Sequence, residues 1–189
     1  MGSLHSFEKG ALATLRARLG AAEEANEDLI AFARGHHGAV ASIHQAVLEA
    51  MKSPDQKAMI AVVVSQWPEI LGIDQAALAL ADGDSATLAT SAGIVPIDPA
   101  ILRRGVRGLG PVTVRNVVRG HPLFGQSCAA VRAEALIRID CGAACPNGLL
   151  LLGQAHSPGL DEFGGSELLR FLGQSLAAMI GRWRNSASG

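Results

Sequence analysis

Two neighbouring segments near the C-terminal end constrain this chain most. From Val131 to Asp140, Val131, Ala133, Ala135, Ile137 and Ile139 alternate with Arg132, Glu134, Leu136, Arg138 and Asp140. A period of two marks a strand with one apolar and one mostly polar face. A turn-rich connector ending in Asn147-Gly148 follows. The next segment, 149–155, opens on Leu149-Leu150-Leu151-Leu152. A strand apolar on both sides needs cover on both sides, so it belongs in the centre of a sheet. The rest of the chain must supply flanking strands and covering helices.

Those elements are legible upstream. Residues 75–81 and 87–92 read as strands joined by the hairpin signal Asp82-Gly83-Asp84, and 111–118 reads as a third. Ser53-Pro54-Asp55-Gln56 writes a helix start, with Ser53 as cap, Pro54 in the first helical position and Gln56 completing a capping box. That helix carries Met59, Val62, Val63 and Trp67 and is expected to stop near Pro68. Asp98-Pro99 starts a short crossover helix through Arg104 by the same logic. A closing helix over 166–184 presents Leu168, Leu169, Leu172, Leu176, Met179, Ile180 and Trp183 as one stripe. The order implies an α+β fold: an antiparallel sheet whose first and last domain helices pack together on one face.

Ahead of residue 53 the period changes to a heptad. Leu12, Leu15, Leu19, Ala22, Asn26, Leu29, Ala33, His36, Val40, Ile43, Val47 and Ala50 keep the spacing. Asn26 falls at an a position, where a buried amide pairs with its twin and favours two strands in register. The expectation is a homodimer joined through Leu12, Leu15, Leu19, Asn26 and Leu29. The competing reading is one amphipathic helix lying on its own domain. Gly35 and Gly38 bracket His36-His37 and are expected to break the arm into helices over 7–34 and 39–51. The division expected is a helical arm at 1–52, a domain at 53–185 and a disordered tail at 186–189.

Composition narrows the function classes. Hydrophobic residues make up 49% and charged residues 17%, too apolar for a disordered chain. The net charge of −1 lacks the basic excess that duplex binding needs. Aromatics are 4%, with no Tyr, which argues against a stacking platform for single strands. The expectation is no direct nucleic-acid partner. No apolar run is long enough to span a bilayer. Residues 1–9 lack a signal-peptide pattern, and three cysteines are too few and odd for a disulfide scaffold. A cytoplasmic protein with reduced thiols is expected.

The element order resembles the GAF domain, a small sensory fold. A more specific set of segments is Phe124-Gly125, Val131 through Ile139, Gly148-Leu149-Leu150-Leu151-Leu152-Gly153, Asp161-Glu162-Phe163 and Phe171-Leu172. With Gly72-Ile73-Asp74 and the arm, this set resembles the bacterial domain-of-unknown-function family 484. That resemblance implies a GAF-like domain behind a helical arm and brings no established reaction, because fold does not imply function.

Between Asp98 and Glu134 no acidic residue occurs, while Arg103, Arg104, Arg107, Arg115, Arg119, Arg132 and His121 do. In a GAF-like fold this stretch roofs the ligand pocket. Arginine's planar fork suits phosphate and carboxylate. The expected ligand contacts are Arg103, Arg104, Arg115, His121, Phe124 and Arg132. The alternative is a solvated basic face balanced by the acidic arm. An intrastrand Arg132–Glu134 pair is the structural alternative for Arg132.

Cys128 is similar in placement to an active-site cysteine of the GAF-type free methionine-R-sulfoxide reductases. That likeness implies a thiolate attacking a sulfoxide, with His121 or nearby arginines favouring the thiolate. The chain lacks that family's upstream cysteines; Cys141 and Cys145 lie downstream. A buried structural thiol is the competing reading. Cys141-x-x-x-Cys145 with Cys128 and His156 is too loosely spaced for a zinc knuckle, so no metal is expected. Gly105-x-x-Gly108-x-Gly110 lacks the ending of a phosphate loop. The reading is a regulatory protein without catalysis or cofactor, binding a small anionic ligand. The alternatives are a Cys128-dependent reductase and a structural adaptor for a protein partner.

Overall fold

The structure is a computed structural model of the 189-residue chain. It describes residues 20, 23, 37–140, 148–156 and 166–187, without the side chains of 184–187. The chain forms two compact units, Met1–His37 and Gly38–Gly189. The expected dimer seam at Leu12, Leu15, Leu19, Asn26 and Leu29 lies outside the described residues.

Six strands form one antiparallel sheet in the order β3-β2-β1-β6-β5-β4. They are β1 (Gln75–Asp82), β2 (Ser85–Thr90), β3 (Gly93–Ile97), β4 (Val112–Asn116), β5 (Ala133–Ile139) and β6 (Gly148–Gln154). The four leucines of β6 are fully buried between β1 and β5. Leu150 and Leu152 join one core cluster, and Leu149 and Leu151 join the other. The central placement expected from sequence follows directly. β3 is absent from the sequence reading. It is solvent-exposed almost throughout and contains Pro96, so neither alternation nor apolarity announces it. Proline is tolerated there because β3 is an edge strand.

The long helices pack on one face. Residues 38–51 form α1, which buries Ile43, Ala46, Val47 and Ala50 against the sheet's cluster. Gly38 is helical rather than a break. The heptad positions from Ile43 onward therefore meet the chain's own domain, and the stretch grouped with the arm supplies core. α2 (Gln56–Ser65) is capped by Asp55, whose side chain accepts from the Ala58 N–H at 2.7 Å. Ser53 is not the cap: the carboxylate two residues later holds the stronger acceptor. α2 ends at Ser65, near the stop expected at Pro68, and Trp67 belongs instead to a separate short helix, α3 (Trp67–Leu71), with the proline in its first turn where a missing N–H costs nothing. Trp67 is fully buried and donates its Nε1–H to the Ala46 carbonyl at 2.9 Å, pinning α3 to α1.

α5 (Ser166–Ala187) closes the layer and extends past the expected end at 184, so residues 186 and 187 are helical rather than tail. It meets β5 at Gly173, where a Cβ would come within 2.5 Å of Ile137 Cγ2. Only glycine allows that approach. The opposite face carries the crossover segment: α4 (Pro99–Val106), capped by Asp98 as expected, and a 3-10 turn at Pro122–Ala129. Among the described residues no helix is long and apolar enough to cross a membrane.

Candidate functional site

Polar chemistry gathers on the crossover face. β4 and β5 pair so that Arg115 stands opposite Glu134. Glu134 is 0% exposed, the sole buried charged residue among those described. A buried carboxylate persists only when paired and hydrogen-bonded. Here Arg115 places Nε 2.8 Å and Nη2 2.7 Å from Oε1, and the His121 backbone N–H donates to Oε2 at 2.6 Å. One carboxylate therefore ties the edge strand to the crossover loop with charge-assisted bonds.

His121 extends the knot. Its Nδ1 accepts from the Leu123 N–H at 3.2 Å and caps the 3-10 turn. An accepting Nδ1 puts the proton of the neutral ring on Nε2. α4 leans on the same ring at Gly105, where a Cβ would sit 3.2 Å from Cε1. The imidazole pKa is lowered, first by burial; Glu134 raises it and Arg115 lowers it further.

Cys128 is 5% exposed, and Arg119 places both Nε and Nη2 3.3 Å from its Sγ. The loop between them closes through the Gly120 N–H on the Cys128 carbonyl at 2.9 Å. Gly120 is required there, because a Cβ would lie 2.6 Å from Val131 Cβ. Phe124 is buried below with Leu102, Leu123, Leu136 and Leu151.

The expected ligand residues thus separate. Arg115 and His121 meet at Glu134. Arg103 and Arg104 stand exposed in the last turn of α4. Phe124 is floor rather than rim. Arg132 does not pair with Glu134: its Nη1 donates to the carbonyls of Ala129 and Val131, at 2.7 and 3.0 Å. Its backbone sits between neighbours, with N–H to Gln154 and carbonyl to Val117, so its side chain folds back over the turn it leaves. The Arg115–Glu134 pair escaped the sequence reading, and of the arginines expected near Cys128 it is Arg119 that meets the sulfur; each partnership depends on register or loop closure rather than on spacing. Among the described residues no group of three or more His, Cys, Asp or Glu could hold a metal ion; Cys141 and Cys145 lie outside them.

No protein-family model matches the chain, and no curated protein matches it. Solved structures do. The GAF domain of a Coxiella burnetii phosphoenolpyruvate-protein phosphotransferase superposes with TM-score 0.56 at 15% identity, over 82% of this chain and 99% of that one. An A. aeolicus GAF domain in an inactive state gives 0.57 at 12%, over 75% and 94%. The free methionine-R-sulfoxide reductase of Neisseria meningitidis, in complex with its substrate, gives 0.55 at 19%, over 76% and 89%. The domain has the GAF fold, as the element order led one to expect. The narrower resemblance to family 484 rests on the sequence segments alone.

Proposed function

We propose that this chain is a regulatory GAF-domain protein of the cytoplasm, without catalysis of its own, that binds a small anionic ligand on its crossover side. The observation that carries this reading is the knot at Glu134. Edge strand, crossover loop and α4 converge on one buried carboxylate and its histidine. Glu134 engages Arg115, while Arg103 and Arg104 stay exposed on the helix that leans on His121. An anion bridging those two arginines would push on the loop that Glu134 holds. Dimerisation through the N-terminal helices would carry the change to a protein partner, provided ligand affinity differs between two states.

Native mass spectrometry followed by thermal titration with adenosine 5′-monophosphate, citrate and inorganic phosphate tests the reading. A dimer with a discrete adduct, or a saturable rise in Tm, is expected. The rise should vanish in the Arg103→Ala/Arg104→Ala double variant. No adduct and no shift with any of the three would sink the sensor and favour the adaptor. A monomer would remove the dimer.

A second reading draws on Arg119 and Cys128. Arg119 brings two guanidinium nitrogens within 3.3 Å of the Cys128 sulfur, and one structural neighbour is a sulfoxide reductase. Burial of Cys128 beneath the loop argues for a structural thiol. Reduction of free methionine-R-sulfoxide by the intact protein, abolished in Cys128→Ser, would overturn the non-enzymatic reading.

A further inference from the structure

The two edges of the sheet are finished differently. β3 bounds one edge and carries Pro96, which has no N–H to offer to a further strand. β4 bounds the other and contains no proline. Its ladder with β5 is phased by the bonds at its two ends. The Arg138 N–H donates to the Pro111 carbonyl at 3.0 Å, and the Val117 N–H donates to the Arg132 carbonyl at 2.8 Å. Hydrogen-bonded pairs alternate along an antiparallel ladder. Thr113 and Arg115 therefore turn their backbone groups toward β5, while Val112 and Val114 turn theirs outward. Among the described residues no strand pairs with that outward side. The side chains alternate as well. Val112 and Val114 stand opposite Ile137 and Ala135, which belong to the cluster under the helices, and Val114 is 38% exposed. Arg115 stands opposite Glu134 on the crossover face. It spends Nε and Nη2 on Glu134, stays 46% exposed and keeps further donors.

We infer that the outer edge of β4 is a docking site for an extended acidic segment of a partner protein, which adds to the sheet as a seventh strand. Main-chain bonds to Val112 and Val114 hold the segment, and its alternate side chains supply the selectivity. Those beside Val112 and Val114 continue an apolar row. The one beside Arg115 continues a row that already runs from Glu134 to Arg115, and a carboxylate there completes the alternation of charge. The surrounding sequence agrees: no acidic residue occurs between Asp98 and Glu134, and Arg138 shares Glu134's face of β5. The same absence disfavours a second copy as the occupant. In no register does the β4 of a copy bring a carboxylate opposite Arg115.

Fluorescence anisotropy with a fluorescein-labelled peptide, Thr-Val-Glu-Val-Glu-Val-Thr, tests this. Saturable binding to the full chain is expected. The lysine analogue Thr-Val-Lys-Val-Lys-Val-Thr should bind roughly fivefold or more weakly, because it sets like charge beside Arg115. Val114→Pro removes an outward N–H that the sheet does not use, at an edge position where proline is tolerated. It should keep the wild-type circular dichroism and abolish binding. Val114→Glu leaves the backbone donor in place and changes only a part-exposed side chain. It should fold and should weaken the acidic peptide by roughly fivefold or more, which carries the test if the proline variant does not fold. Ile94→Lys on β3 should leave binding unchanged. No saturable binding to the wild type overturns the site, as does equal binding of the two peptides or binding that Val114→Glu does not alter. Binding lost in Ile94→Lys but kept in the β4 variants assigns the peptide to the other edge and overturns it too. Sedimentation velocity addresses the remaining occupant. A wild-type dimer that dissociates in Val114→Glu assigns the edge to a second copy, which overturns the acidic segment.

Discussion

The two faces of the sheet differ in kind. The helix-bearing face is an aliphatic layer: every residue of its core cluster is hydrophobic, and its contacts come from α1, α2, α3 and α5. The crossover face has a smaller cluster and carries the buried carboxylate, the half-buried imidazole and the thiol under a guanidinium. Apolar packing is non-directional and tolerates substitution of similar volume. A buried carboxylate with three donors is directional and high-stakes. The contrast teaches where the fold stores stability and where it has room for a switch.

The largest effects compare neighbours. Leu150 and Leu151 are adjacent in β6, both 0% exposed, and belong to opposite clusters. Leu150→Ala should cost about 2–5 kcal/mol by lost transfer energy and residual cavity. Leu151→Ala should cost as much if the crossover segment packs as tightly as the helices. Urea denaturation of both variants measures the difference. A cost below about 1 kcal/mol for Leu151→Ala alone would mean the crossover face collapses into the gap, and the comparison of two solid cores would fail.

A smaller effect belongs to Glu134. Glu134→Gln keeps the shape and one acceptor but removes the charge. Arg115 is 46% exposed and regains water, which limits the penalty. The bond to the His121 N–H loses its charge assistance. A loss of about 1.5–3 kcal/mol is expected. Amide exchange should locate it: protection should fall at 117–125 and hold in α1 and α5. Uniform loss across both faces would show that Glu134 supports the whole fold rather than the loop.

What sequence revealed divides along the same line. The central leucines, the Asp82-Gly83-Asp84 hairpin, the Asp98 cap and the stripe of α5 are local signals, and each recurs in the structure. Period and capping chemistry act within a few residues, so one dimension suffices to read them. The Asp55 cap was missed because Ser53-Pro54 offers a competing start two residues earlier. β3 was missed because an exposed edge strand needs no apolar pattern. The site was legible only as composition: a stretch rich in arginine and free of carboxylates. Which arginine meets Glu134 depends on strand register across 19 positions. Arg132, two residues away, looked nearer and was the wrong partner.

The smallest effect is a titration, and it sharpens the contrast because the helix-bearing face holds no counterpart in its core cluster. His121 has a lowered pKa, caused first by burial, with Glu134 opposing and Arg115 adding to the shift. Its Nδ1 accepts from the Leu123 N–H, a bond that a protonated ring cannot make. In the unfolded chain the imidazole returns to its ordinary value. Between the two values the unfolded state binds a proton that the native state does not, so stability rises with pH across that window. The contribution is complete above the ordinary imidazole range and is lost as pH falls through it toward the lowered value. His121→Asn offers an amide oxygen to the same N–H and does not titrate. Urea midpoints at about pH 7.5 and about pH 5.5 should differ less in this variant than in the wild type. Glu134→Gln removes the influence that raises the imidazole, so it should widen the window and steepen the wild-type slope. Equal slopes in all three proteins would mean that the ring is not coupled to the carboxylate. Glu134 would then act on the crossover loop only through its bond to the His121 backbone N–H.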